Sequence, residues 1–80
     1  MEIVMRDGRV FKGTPVEIVR DMKEIAFGVE QLSLNEYIDW VAANAKKFED
    51  VELRVAGETE EAKAASLVAE MIRTGLTAAG

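Results

Sequence analysis

The segment Ser33–Phe48, SLNEYIDWVAANAKKF, decides how the rest of the chain can be arranged. Leu34, Tyr37, Ile38, Val41, Ala42, Ala45 and Phe48 recur at intervals of three and four residues, which lines them along one side of an α-helix. The spacing predicts a helix over 34–48. Ser33 stands at its start as N-cap, with Glu36 three residues on, a pair that satisfies two free backbone N–H groups reciprocally. The segment also holds the only Tyr, the only Trp and one of the three Phe residues. Aromatic side chains bury the most area per residue, so much of the core is expected against this helix. Trp40 falls on the flank of the stripe, not at its centre.

Upstream, Thr14-Pro15-Val16-Glu17 repeats the start signal: an N-cap, a proline at the first helical position and a glutamate to close the box. Ile18, Val19, Met22, Ile25 and Ala26 form the apolar stripe of a helix over 15–27, and Gly28 is its expected stop. Before it, residues 2–13 read as a β-hairpin around Asp7-Gly8. A two-residue turn would set Arg6 against Arg9, a like-charge pair. A three-residue loop, Arg6-Asp7-Gly8 with a left-handed glycine, instead pairs Ile3 with Phe11 and Glu2 with Lys12 and gathers Ile3, Met5 and Phe11 on one face. The second register is preferred. It leaves Val4 and Val10 on the opposite face.

Downstream, Val51-Glu52-Leu53-Arg54-Val55 alternates apolar and charged residues, which predicts a strand with one buried face. Thr59 caps a helix over 60–74, with Glu60 and Glu61 in the first turn where the helix dipole favours anions. Gly75 stops it, and the tail 76–80 is expected to fray. The fold class that follows is α+β: a single two-layer domain, 1–80, in the order β-β-α-α-β-α. Its three-stranded sheet is the hairpin plus the 51–55 strand, with three helices packed mainly on one face. The long crossover to residue 51 favours a parallel or mixed third strand.

Composition narrows the function. An 80-residue chain buries only about 60–65% of its unfolded surface, so its stability is modest. There is no Cys, hence no disulfide or thiolate chemistry, and no His, the commonest general base and transition-metal ligand. No apolar run approaches the roughly 20 residues that span a bilayer, so no membrane role and a cytoplasmic location are expected. The net charge of −5 repels phosphate and makes nucleic acid an unfavoured partner.

Three features stand out as sites of interaction. In the 60–74 helix, Ala64, Ala65, Leu67, Val68, Ala69, Met71, Ile72 and Leu76 spread over more than half the circumference. Either the helix is wedged between sheet and helices, or Leu67 and Met71 on the margin meet another chain. Trp40 is a core-edge residue or an interface anchor, since Trp is enriched where binding energy concentrates. The sheet edge, with Val4 and Val10 on its outer face, invites pairing with a second copy. Arg6, Arg9 and Lys12 form a small basic cluster without interleaved aromatics. Glu36 and Asp39 are neighbours on one helix, a common accident of spacing. Ser33, Thr14 and Thr59 read as caps and not as nucleophiles. The sequence therefore predicts a non-enzymatic interaction or regulatory module. It would need no cofactor, and it would self-associate through the 60–74 helix or the sheet edge, or bind another protein. The alternative is a nucleic-acid-associated regulator using the Arg6/Arg9/Lys12 hairpin.

Overall fold

The computed structural model describes residues 1–79. Glu2–Met5 (β1) and Val10–Lys12 (β2) form the expected hairpin, with Glu2 opposite Lys12, Ile3 opposite Phe11 and Val4 opposite Val10. The loop is Arg6-Asp7-Gly8. Gly8 sits at φ +92, and the Asp7 carboxylate accepts the Arg9 backbone N–H at 3.0 Å. A side chain other than glycine would be strained there, which is why this register needs glycine at the third loop position.

Three helices follow: Pro15–Ile25 (α1), Leu34–Glu49 (α2) and Glu60–Arg73 (α3). Thr14 and Ser33 each complete a capping box, and Thr59 accepts the backbone N–H of Ala62. All three hydroxyls are occupied as caps. Asp50, at φ 52, turns the chain back after α2.

The class is α+β, one three-stranded sheet with three helices, and the helices cover one sheet face. Ile3, Phe11 and Thr77 are buried on that face, whereas Val10 and Ala78 on the other are exposed.

One segment is corrected. Val51–Val55 joins no sheet. The third strand is Thr77–Ala79 (β3), which lies antiparallel beside β1, giving the order β2-β1-β3. The expected tail is thus mostly strand, its last residue lying outside the described residues, and the parallel or mixed direction is replaced by an antiparallel one. The physical reason lies in where the backbone groups of 51–56 find partners. Val51 N–H donates to the Ala45 carbonyl, Arg54 N–H to the Glu70 carboxylate at 2.8 Å, and Ala56 N–H to the Ser66 hydroxyl at 3.0 Å. Side chains of α3 take the place of a neighbouring strand, while Leu53 still enters the core. Gly57, at φ +138, lets this segment run against α3, because a Cβ there would lie 2.8 Å from the Lys63 nitrogen.

A second expectation shifts with it. The centre of the core is α3, which packs against α1, α2 and β3, whereas among the described helices and strands α2 packs against α1 and α3 alone. Ala64, Leu67, Val68 and Met71 are all buried.

Candidate functional site

With no sheet contact, α2 keeps one long side uncovered. Tyr37, Ile38 and Ala45 of its stripe are buried, but Phe48 at the end is 71% exposed and Trp40 is 41% exposed. At 1.5 Å per residue, 16 residues make a helix about 24 Å long. Its last turn is exposed throughout, with Lys46, Lys47 and Glu49 around Phe48.

Between this flank and the hairpin loop lies a hollow of about 460 Å³ that opens to solvent. Met5, Met22, Ala45 and Met71 contribute to its apolar lining, α2 contributes Tyr37, Trp40, Val41 and Phe48, and Leu76 closes one side. A smaller hollow of about 210 Å³ continues it beneath the loop, sharing Met5, Asp7, Met22 and Tyr37 and adding Ile25 and Ala26 of α1. Through these four shared residues the two hollows adjoin, and together they make up the trough. Tyr37 and Trp40 stack along it with ring centroids 5.7 Å apart and planes 20° from parallel. Burial pushes the Tyr37 phenol up to about 12, so it stays neutral at physiological pH.

The charges on the walls cancel. Arg6 pairs with Glu49 at 3.4 Å and Arg9 with Asp7 at 3.3 Å. These four are the charged residues that line the two hollows. All of the chain's net −5 therefore lies on other residues. Lys47 holds its ammonium 5.3 Å from the Phe48 ring centroid, a cation–π distance.

Of the residues singled out from the sequence, Trp40 is at the rim of this trough. Leu67 and Met71 are corrected. They are 0% and 2% exposed and lie inside the domain, because α3 is covered by α1, α2 and β3 together. Met71 reaches the trough only as part of its floor. Val4 is half-buried and Val10 is 49% exposed, both on the outer sheet face as expected, away from the trough. Phe48 was expected in the core and is instead the most exposed aromatic along the trough. Ile25, expected on α1's buried stripe, is 48% exposed. Sequence did hold a clue to Phe48: Lys46, Lys47, Glu49 and Asp50 surround it without an apolar neighbour.

The basic cluster on the hairpin is paired cation by cation, since Lys12 meets Glu2 at 3.4 Å in addition to the two arginine pairs. Glu36 accepts the Ser33 backbone N–H, and Asp39 accepts from Lys63 at 3.1 Å. The two acids serve different partners and do not converge. Among the described residues no group of three or more carboxylates could hold a metal ion, and no helix is long and apolar enough to cross a membrane.

One further polar network is well defined. Glu70 accepts from Arg73 at 2.8 Å through two nitrogens and from the Arg54 backbone N–H. The Arg73 guanidinium first, and the Arg54 N–H second, hold its carboxyl down at about 2. Its work is to fasten the 51–56 segment to α3.

No protein-family model, no characterised protein and no solved structure matches this chain, so what it does must be read from its own residues.

Proposed function

We propose that this chain is a non-enzymatic protein-interaction module whose binding surface is the trough between the hairpin loop and α2. The observation that supports this reading is the pair Trp40 and Phe48, exposed along the mouth of an apolar hollow of about 460 Å³. A hollow of this size falls in the range of binding sites, about 300–1,000 Å³. Aromatic anchors beside desolvated pockets are where interface energy concentrates. The polar rim is internally neutralised, which suits an apolar protein surface better than a charged ligand. The proposal keeps the cytoplasmic setting expected from the sequence. Nothing favours the hairpin as a nucleic-acid surface, because each of its three cations already faces a carboxylate.

The test is a photo-crosslinking amino acid placed at position 48 and, separately, at position 10, in cells. Adducts with protein from position 48 and none from position 10 are expected. No adduct from position 48, or equal yields from both positions, would remove the trough as the binding surface.

A further inference from the structure

We infer that the partner in the trough is a second copy of this chain, in a two-fold dimer in which each Phe48 enters the other copy's hollow. The inference rests on the trough being a binding surface and adds what fills it.

A two-fold interface places the same patch on both sides, so the patch must complement itself. This one does. A projecting aromatic, Phe48, stands beside a hollow that its own ring leaves unfilled. A cavity of about 150 Å³ is enough for a benzene-sized ring, and the hollow here is about 460 Å³. By volume alone this hollow, open to solvent, admits the ring of a second Phe48.

Charge points the same way. Two copies that each carry −5 repel one another if their acidic surfaces meet. The trough is the face where they need not, because the two arginines and two carboxylates on its walls cancel. A basic partner drawn by the chain's acidity would find none of the excess negative charge here. Salt screens the repulsion between the net charges of the two copies, over a Debye length of about 10 Å at 0.1 M.

Area is the third argument. An aromatic side chain offers roughly 150–250 Å². At 41% and 71% exposure, Trp40 and Phe48 leave on the order of 200 Å² of ring surface in water. Half-exposed Ile25 and the walls of both hollows extend that patch. A standard interface takes about 800 Å² from each partner. The trough supplies the apolar centre of such an area, and the paired charges supply its rim.

The experiment is sedimentation equilibrium across a micromolar-to-millimolar series, on the wild-type chain, Phe48→Asp and Val10→Asp. A dimer is expected in the wild type. Phe48→Asp weakens it about thirty-fold or more, the size of a hot-spot truncation, and Val10→Asp leaves it unchanged. Phe48 is mostly exposed, so its replacement leaves the fold intact, which circular dichroism checks. A wild-type monomer throughout the series overturns the second copy as partner while leaving the trough itself to the crosslinking result. A dimer indifferent to Phe48→Asp overturns the two-fold arrangement through Phe48, and the trough as a surface for another protein is then decided by the crosslinking result.

Discussion

Two helices of this domain carry apolar residues well beyond a single narrow stripe, and they end in opposite surroundings. On α3 the large residues at the centre of the wide arc are covered, while the small Ala65 and Ala69 face water: α1, α2 and β3 pack around the helix, and Leu67 and Val68 are without solvent contact. On α2 the arc is wide but the neighbours are fewer. Among the described helices and strands it packs against α1 and α3 alone, with the hairpin loop reaching it through the Arg6–Glu49 pair, so Trp40 and Phe48 face water beside an unfilled hollow. The difference teaches that an excess of apolar surface on a helix does not by itself mark an interface. What decides is how many elements surround the helix. The central helix of a small domain hides its excess, and the peripheral helix displays it.

The comparison can be broken by stability measurements. The largest effect is expected at Leu67→Ala, which leaves a cavity at the centre of the core and costs about 2–5 kcal/mol. For an 80-residue domain of about 4–12 kcal/mol total stability, that is a large share, visible as a lower urea midpoint. If Leu67→Ala left the midpoint in place, α3 would not be the core helix.

A smaller effect sharpens the account of the segment fastened to α3. The Glu70 carboxyl is held at about 2, below its ordinary 4.5. A depressed acid contributes stability that is fully present above its unfolded value and is lost as pH falls towards its folded one. The thermal midpoint should therefore fall between about pH 4.5 and 2, and Glu70→Gln should flatten part of that fall. An identical pH profile in the two proteins would show that the Arg73 and Arg54 bonds to Glu70 do not support the fold.

The smallest effect is expected at Phe48→Ala, within about 0.5 kcal/mol of wild type, because a mostly exposed side chain away from the core contributes little to folding. Measured at a concentration where the chain is dilute, a loss approaching that of Leu67→Ala would place Phe48 in the core and erase the contrast between the helices.

Much of this fold is determined by the sequence alone, and for local reasons. The caps at Thr14, Ser33 and Thr59, the three helices, and the hairpin with its Arg6-Asp7-Gly8 loop all follow from interactions within a few residues. Trp40 could also be marked as a rim residue from its place on the helix flank. What tertiary structure decided is where the repeating patterns found their partners. Val51–Val55 has a strand's alternation, yet its N–H groups meet Glu70 and Ser66, side chains far along the chain that no local pattern connects to it. Thr77–Ala79 has weak strand character, but the return of the chain after α3 sets it beside β1, where the Thr77 hydroxyl donates to the Val4 carbonyl at 2.6 Å. Leu67 and Phe48 are both apolar residues on amphipathic helices. One is core and the other is surface because burial depends on the elements that pack around a helix, and those are fixed only when the whole chain has folded.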